Sequence, residues 1–258
     1  MEETTQTKAA LITGGSRGIG AETVLALADR GYDVSFNFRN KAARADEVVS
    51  QAIRRGVQAL AVGCDITRPE DRARLFVEVQ QWHAQLDVLI LNASGGLEKD
   101  ALALDPDYPM HINRDAQMAL VDLALPLLRP GGAIVFITSH WAHLYGHGIQ
   151  HVPTYEPVAK SKYAGEQALR ARQQEFADRG IRFVVVTGDL IEGTITPKLL
   201  ERSAPGLAAS RSHQAGPLPT AAEMGEAIAI AATDATIPDG HTIVIGGSLE
   251  SLLSESAS

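Results

Sequence analysis

The stretch Thr13–Gly20, TGGSRGIG, decides the fold of this chain. It follows a short apolar run and precedes a segment of helical character, which is the strand–turn–helix context of a phosphate-binding loop. Its glycines permit a tight turn and let the backbone approach a pyrophosphate at a positively polarised helix N-terminus. The alternative is a turn that needs glycine only for its conformation. The residues predicted to bind the phosphates of a dinucleotide are Gly14, Ser16, Arg17, Gly18, Ile19 and Gly20.

Seven short apolar runs rich in β-branched residues recur along the chain, and segments of helical periodicity separate them. The runs are continuous rather than alternating, which is typical of strands covered on both faces. This pattern predicts an α/β Rossmann fold with a doubly wound, seven-stranded parallel sheet of order 3-2-1-4-5-6-7 and helices on both faces. Without an internal linker, residues 1–258 are expected to form a single domain. The predicted strands cover 8–15, 33–39, 59–65, 87–94, 133–139, 181–189 and 241–247.

Two arginines indicate which dinucleotide binds. Arg39 stands at the end of the second strand, where an acidic residue would otherwise hold a ribose hydroxyl, and Arg17 lies inside the glycine loop. Two guanidinium groups suit a 2′-phosphate, so NADP(H) is predicted rather than NAD(H). The alternative is that both arginines are only solvated. Asp65, which precedes Ile66 at the end of the third strand, either accepts a hydrogen bond from the adenine amino group or caps a turn. Both residues are predicted cofactor contacts.

Composition and charge exclude several kinds of partner. The net charge of -8 lacks the basic surface that nucleic acid requires, so no nucleic-acid partner is expected. No apolar segment reaches the ~20 residues of a bilayer-crossing helix, so no membrane association is expected. The single cysteine, Cys64, cannot form an internal disulfide, and Met1–Thr7 has neither the basic start nor the apolar run of a targeting signal. A cytoplasmic location is therefore expected.

The segment 202–220, RSAPGLAASRSHQAGPLPT, interrupts the alternation of strand and helix. Its Ser, Ala, Gly and Pro content predicts an irregular loop rather than a core element. Long loops of this kind often carry function, so residues 194–219 are predicted to form a mobile substrate lid. The alternative is an ordinary surface loop.

Several motifs together resemble the short-chain dehydrogenase/reductase family over about residues 7–248. The family's TGxxxGxG motif matches within Thr13–Gly20, and its NNAG segment appears in altered form as Leu91–Ser94. The resemblance implies an oxidoreductase with a small-molecule substrate. It also implies a homo-oligomer, a dimer or a tetramer, that pairs through helices at 108–128 and 157–178. The further residues that it assigns to cofactor binding are Asn92, Ala93, Ser94, Tyr155, Lys162, Gly188, Leu190 and Thr194.

The catalytic tyrosine of that family is displaced in this chain. The family's lysine corresponds to Lys162, and its usual tyrosine, four residues earlier, falls on Val158, which cannot donate a proton. Tyr155 lies seven residues before Lys162, and seven residues turn a helix through about 700°, so the two share a face. This spacing resembles the NADPH-using enoyl-acyl-carrier-protein reductase branch. Tyr155 is the predicted proton donor, Tyr145 and Tyr163 are lesser candidates, and a packing role for Tyr155 is the alternative.

The resemblance also implies a role for each catalytic residue. Lys162 supplies positive charge that eases proton loss from the phenol of Tyr155, and it holds the nicotinamide ribose. Ser139 hydrogen-bonds the substrate oxygen, and Asn113 maintains a water path to Lys162. These residues predict an NADPH-dependent reductase of a conjugated enoyl or carbonyl substrate, with thioesters among the candidates. An atypical ketoreductase or alcohol dehydrogenase and a catalytically silent NADP(H)-binding regulatory protein stay open as alternatives.

Four histidines, His140, His143, His147 and His151, follow the predicted serine. They lie in a glycine-containing loop without acidic or thiolate companions in that stretch, so no metal site is predicted. Contact with substrate or exposure to solvent is expected instead.

Overall fold

The computed structural model describes residues 7–149 and 152–255. Within these ranges one sheet contains seven strands. They are β1 (Ala9–Ile12), β2 (Asp33–Phe38), β3 (Ala59–Gly63), β4 (Leu86–Leu91), β5 (Leu128–Ser139), β6 (Arg182–Gly188) and β7 (Thr242–Ile245). Each of the seven predicted strands is confirmed. Most are shorter than predicted, because the ladder of hydrogen bonds ends where the chain turns into the loops at the carboxyl edge.

The sheet has the order β3-β2-β1-β4-β5-β6-β7, and every pair of neighbours is parallel. This confirms the predicted fold class. The strand order reverses between β1 and β4, and ligands of open α/β sheets bind outside the carboxyl ends of the strands at such a point. β5 begins at Leu128, before the predicted start at 133. It pairs Leu128 with Leu86, shifts register, and continues from Ala133 opposite Val88.

The helices lie between the strands. They are α1 (Gly18–Ala28), α2 (Ala42–Arg54), α3 (Pro69–Trp82), α4 (Lys99–Leu104), α5 (Tyr108–Met110), α6 (Ala116–Ala124), α7 (His140–His143), α8 (Glu156–Arg170), α9 (Gln173–Asp178), α10 (Ile195–Ser203), α11 (Leu207–Ala215), α12 (Ala221–Thr233) and α13 (Leu249–Glu255). A π-helical turn spans His111–Asp115, and a short 3-10 helix spans Tyr145–His147. No helix in the described part of the chain is both long and apolar enough to cross a membrane.

Of the two long helices predicted over 108–128 and 157–178, the first is helical from Tyr108 to Ala124 and contains a π-helical turn, and the second is broken. The π-helical turn separates α5 from α6, and a Cβ atom on Gly165 of α8 would lie 2.2 Å from the Asn113 carbonyl oxygen of that turn. The widened turn therefore approaches α8 closely at a position that only glycine allows. The second helix breaks at Ala171–Arg172, after which α9 buries Phe176 in the core.

Two apolar clusters cover the two faces of the sheet. Leu11 and Leu89 pack on the face that α3 and α6 cover, whereas their neighbours Ile12 and Ile90 pack on the face that α1 and α12 cover. Successive residues of a strand point to opposite faces, so a strand covered on both sides needs apolar residues at every position. This explains the continuous apolar runs of the sequence.

Candidate active site

The glycine loop lies between β1 and α1. Gly14 and Gly18 have φ angles of 72° and 53°, a left-handed conformation that glycine adopts without a steric cost. A Cβ atom on Gly20 would lie 2.2 Å from the carbonyl oxygen of Gly14, so the start of the helix packs directly on the loop backbone. The side-chain amide of Asn92 donates a hydrogen bond to the Thr13 carbonyl oxygen at 2.9 Å. The loop is thus fastened to the end of β4.

A cleft of about 730 Å³ opens at this loop, along the carboxyl ends of β1 to β4. The residues predicted to bind the cofactor that line the cleft are Gly14, Ser16, Arg17, Gly18, Ile19, Gly20, Arg39, Asp65, Ile66, Asn92, Ala93, Ser94 and Thr194. The cleft lies at the point where the strand order reverses. Its position and lining fit an elongated ligand with phosphate groups.

The lining of the cleft is rich in cationic side chains. Arg17 and Arg39 both line it, and so do Lys41 and Arg44, which the sequence interpretation missed. Their signal was present in the run of basic residues that follows β2. The Arg39 guanidinium donates a hydrogen bond to the Tyr108 hydroxyl at 2.6 Å, so that side chain is already held at the cleft. Arg39 also lies 3.6 Å from the Glu98 carboxylate, but the four cationic side chains outnumber it and favour an anionic ligand group.

Asp65 lines the cleft but also closes a turn. Its Oδ1 accepts hydrogen bonds from the backbone nitrogen and the hydroxyl of Thr67, at 3.0 Å and 2.7 Å. Of the two roles considered for Asp65, the turn is therefore formed in the structure. Contact with adenine stays a prediction, and the second carboxylate oxygen is the atom that could make it.

Ser139 and Tyr155 meet at the carboxyl end of β5. The Tyr155 hydroxyl donates a hydrogen bond to Ser139 Oγ at 2.9 Å, and the same oxygen accepts one from the Ala142 backbone nitrogen at 3.2 Å. Ser139 caps α7, and Tyr155 is the residue before α8 begins. Burial raises the pKa of Tyr155, and the hydrogen bond with Ser139 offsets part of the rise. The phenol is thus a protonated donor at neutral pH.

Val158 and Lys162 differ in their surroundings on α8. Val158 is buried, and its Cγ2 would lie 3.0 Å from a Cβ atom on Gly96, so it packs closely against that loop. The position where the family places its tyrosine is therefore filled by apolar packing. Burial lowers the pKa of Lys162 to about 8. No hydrogen bond or ion pair joins its ammonium group to any residue that the structure describes, which leaves the group available to a ligand.

Asn113 ties the loop after β4 to α8. Its Oδ1 accepts a hydrogen bond from Ser94 Oγ at 2.9 Å, and its Nδ2 donates one to Ser161 Oγ at 2.9 Å. A further bond runs from Nδ2 to the Gly95 carbonyl oxygen at 2.9 Å. The side chain thus positions Ser94 at the cleft and packs beside the helix that carries Lys162. The water path to Lys162 stays a prediction.

Comparison with known proteins decides the family. The short chain dehydrogenase family matches residues 8–203, which is more than half of the chain. The chain belongs to this family. Its members are oxidoreductases that use NAD(P)H.

Three similar proteins illustrate the range of the family. The 1-cyclohexenylcarbonyl-CoA reductase of Streptomyces collinus is 35% identical over 188 residues, which cover 70% of this chain and 64% of that protein. A solved structure of the promiscuous reductase LugOII, which catalyses keto-reduction at C1 during lugdunomycin biosynthesis, has a TM-score of 0.72 at 26% identity, covering 92% of this chain and 94% of that chain. A blue fluorescent protein from a metagenomic library, in complex with NADPH, has a TM-score of 0.79 at 26% identity, covering 94% and 97%.

The matched stretch covers less than two thirds of two curated relatives. It spans 64% of the Streptomyces protein and 61% of a hydroxynaphthalene reductase-like protein Arp2 from Metarhizium anisopliae. The substrates named for these relatives are therefore stated of those proteins and not of this chain.

The other two candidates for the proton donor of this short-chain dehydrogenase, Tyr145 and Tyr163, lie together. The rings of Tyr145 and Tyr163 pack 6.0 Å apart, centroid to centroid, whereas the hydroxyl bonded to Ser139 is that of Tyr155. Tyr155 is the tyrosine that the fold brings to the serine.

The predicted exposure of the histidines to solvent is wrong for His140, and for His143 the predicted lack of an acidic companion holds only within its own stretch of sequence. His140 is fully buried, its Nε2 donates to the Gly247 carbonyl oxygen at 2.9 Å, and burial lowers its pKa to about 4. His143 has an acidic companion that is distant in sequence, because its Nδ1 lies 2.8 Å from Glu166 Oε1 of α8. In the part of the chain that the structure describes, no group of three or more potential ligands could hold a metal ion. His151 lies outside that part.

Four predicted cofactor residues, Gly188, Leu190, Tyr155 and Lys162, do not line the cleft. Gly188 ends β6, and a Cβ atom there would lie 2.9 Å from Ile191 Cδ1. Leu190 packs into an apolar cluster around Tyr155, called here the tyrosine cluster. The members of this cluster are Trp141, Ala142, Leu144, Ile149, Tyr155, Val158, Ala159, Leu190, Leu200 and Leu252.

The prediction of an irregular loop over 202–220 is wrong. Most of the segment is helical, because α10 extends to Ser203 and α11 spans Leu207–Ala215. Leucine, alanine, arginine and glutamine favour helix, and the chain breaks only near the Pro205–Gly206 pair. Leu200 of α10 is a member of the tyrosine cluster, and Leu207 of α11 packs against it. The two helices cover Tyr155, while the mobility of a lid stays a prediction.

Proposed function

We propose that this short-chain dehydrogenase is an NADPH-dependent reductase in which Tyr155 donates a proton to the substrate. The observation that carries the proposal is the 2.9 Å hydrogen bond from the Tyr155 hydroxyl to Ser139 Oγ. It brings the displaced tyrosine to the serine of the family motif, although Val158 occupies the usual tyrosine position. The active site would thus use the Tyr155 and Lys162 spacing of the enoyl-reductase branch.

The cleft residues fit NADPH. The close packing of Gly20 on the Gly14 carbonyl leaves loop backbone at the helix N-terminus for a pyrophosphate, and Arg17 and Arg39 would pair with the 2′-phosphate. Lys41 and Arg44 add positive charge to the lining of the cleft. NADPH, when bound, supplies the hydride. A structural relative with a TM-score of 0.79 is in complex with NADPH, which supports this choice of cofactor.

The protein residues supply the proton and the charge. As negative charge develops on the substrate carbonyl oxygen, Tyr155 would donate its hydroxyl proton to that atom, and Ser139 Oγ would stabilise it by a hydrogen bond. The Lys162 ammonium has no protein partner among the described residues, so it is available to bind ribose hydroxyls and to stabilise the phenolate that remains. The charged form of Lys162 prevails below a pH of about 8.

The tyrosine cluster favours an apolar substrate with a conjugated carbonyl group. Tyr155 is 5% exposed and lies among aliphatic and aromatic side chains, so the reacting group would be largely shielded from water. The Streptomyces collinus relative acts, by its name, on 1-cyclohexenylcarbonyl-CoA, a conjugated enoyl thioester. We infer an enoyl thioester as the substrate class of this chain. The keto-reducing structural relative makes carbonyl reduction the second candidate.

Turnover with matched thioesters tests this function. NADPH oxidation would be followed with 1-cyclohexenylcarbonyl-CoA and crotonyl-CoA for C=C reduction, and with acetoacetyl-CoA for C=O reduction. NADH would replace NADPH in a parallel series. We expect higher kcat/KM for the enoyl thioesters with NADPH, and deuterium from 4-deuterated NADPH on the β-carbon of the product. Turnover of acetoacetyl-CoA alone would identify a ketoreductase.

The same assay tests the alternative of a silent binding protein. Tight NADPH binding without turnover of any of these substrates or of other carbonyl and enoyl compounds would favour a regulatory protein. The predicted dimer or tetramer also stays a prediction, and light scattering of the purified protein measures it.

A further inference from the structure

Helix α11 places a charged side chain inside the protein. Arg211 is 3% exposed, and its Nη2 lies 2.7 Å from Oδ2 of Asp189, which is 1% exposed and directly follows β6. A second hydrogen bond runs from Arg211 Nε to Asp189 Oδ1 at 3.3 Å. A buried ion without a partner is costly, so the paired geometry fixes α11 against the end of β6.

The Arg211 guanidinium also lies over the Trp141 ring. Its central carbon is 5.9 Å from the ring centroid, and the indole also contacts Tyr155, whose ring lies 5.9 Å away at an interplanar angle of 63°. Trp141 itself is buried, two residues after Ser139. The three side chains form a continuous series of contacts from α11 to the phenol, called here the arginine–tryptophan–tyrosine contacts.

The displaced position of Tyr155 makes such support necessary. In the family motif, one helical turn within a single regular helix separates the tyrosine from the lysine. Here Tyr155 precedes the first residue of α8, with φ and ψ of -96° and -17°. Its hydroxyl is held by the hydrogen bond to Ser139. The orientation of the ring also depends on the side chains packed against it, and Trp141 is an aromatic residue in contact with it.

We propose that Arg211 is a positioning residue that holds Tyr155 in its proton-donating orientation through Trp141. The ion pair with Asp189 docks α11, and the docked guanidinium confines the indole against the phenol. The active site is complete only while α11 is docked. This inference rests on the proposed function, because it requires Tyr155 to be the proton donor.

The experiment uses the two tryptophans of the chain. In a Trp82→Phe background Trp141 is the sole tryptophan, and its emission directly reports the surroundings of the indole between Arg211 and Tyr155. The test variant combines Arg211→Met with Asp189→Asn, which removes both charges and leaves no lone buried ion. In the wild-type protein the Leu190 backbone nitrogen donates a hydrogen bond to Asp189 Oδ1. The side-chain amide introduced by Asp189→Asn keeps an oxygen that can accept this bond. The matched control is Arg202→Met, which removes an exposed arginine from α10.

We expect the double variant to lower kcat about tenfold, because small misplacements of a reacting group have large kinetic effects. The Kd for NADPH should stay within about twofold, and the Trp141 emission should shift to the red as the indole gains contact with water. Arg202→Met should change none of these quantities. Arg211→Lys keeps the ion pair but loses the flat guanidinium, so it should recover part of kcat and serves as the test if the double variant does not fold.

A double-mutant cycle distinguishes positioning of Tyr155 by Arg211 from a purely structural role of Arg211 in docking α11. The Arg211 effect on kcat should vanish in a Tyr155→Phe background, since the arginine acts through that phenol. An equal loss of kcat in both backgrounds, or unchanged Trp141 emission, would overturn this inference and leave the proposed function intact. Full activity of Tyr155→Phe alone would instead contradict the proposed function.

Discussion

The glycine loop and the Ser139–Tyr155 pair are built in opposite ways. The loop is one continuous stretch, Thr13–Gly20, and it borders an open cleft of about 730 Å³. Tyr155, by contrast, is 5% exposed and is covered by helices from distant parts of the chain. A local motif can thus shape a ligand cleft on its own, whereas the reacting groups depend on tertiary packing. The cofactor region and the tyrosine region should therefore respond independently to substitution.

The largest effect should come from removing the phenolic hydroxyl. Tyr155→Phe should lower kcat about 100- to 10,000-fold, the range for loss of a general acid, because it removes the hydroxyl that is bonded to Ser139. Its Kd for NADPH should stay nearly unchanged, since the cleft is lined by other residues. Steady-state kinetics and fluorescence titration measure the two quantities. Tyr163→Phe is the matched control and should retain activity. Parallel losses of kcat and NADPH affinity would show that the two regions are not independent.

A smaller effect, on NADPH affinity, is expected from the cationic side chains that line the cleft. Arg39→Ala should weaken NADPH binding about 10- to 100-fold, because hydrogen bonds to charged groups contribute about 1.5–3 kcal/mol. Binding of NADH, which lacks the 2′-phosphate, should barely change. Calorimetric titration with both cofactors measures the difference, and Arg54→Ala, which removes an exposed arginine of α2, serves as the control. Equal weakening of NADH and NADPH would refute the assignment of Arg39 to the 2′-phosphate.

The smallest effect is a pH dependence from Lys162. Burial lowers its pKa to about 8, below the usual value of 10.5, so the lysine loses its charge as the pH rises through 8. The kcat/KM for NADPH reports the free enzyme and should fall about tenfold between pH 7 and pH 9. Lys162→Arg keeps its charge in this range and should abolish the decline if it is active. A wild-type profile that stays flat to pH 10 would contradict this role.

The fold could be predicted from sequence because its signals are local and periodic. The apolar runs identified all seven strands, and Thr13–Gly20 identified the phosphate loop. The family motif then located Ser139 and Lys162 in the chain. Position along the chain was sufficient for each of these inferences, because strand, turn and helix boundaries depend mainly on neighbouring residues.

The features that sequence missed depend on distant contacts. His140 is buried with a hydrogen bond to Gly247, and α11 is docked by the ion pair of Arg211 with Asp189. The π-helical turn lies against Gly165 of α8. None of these pairings has a periodic or composition signal, so the cover of the tyrosine region could not be derived from the sequence.

The most direct test of the central claim is a crystal structure of the protein with NADP+ bound. We expect the Tyr155 hydroxyl to be the phenol nearest to the nicotinamide C4 atom and to keep its hydrogen bond to Ser139, and we expect the Lys162 ammonium to bind the nicotinamide ribose. A structure in which the hydroxyl of Tyr145 or Tyr163 occupies that place, or in which Tyr155 points away from the nicotinamide, would contradict it.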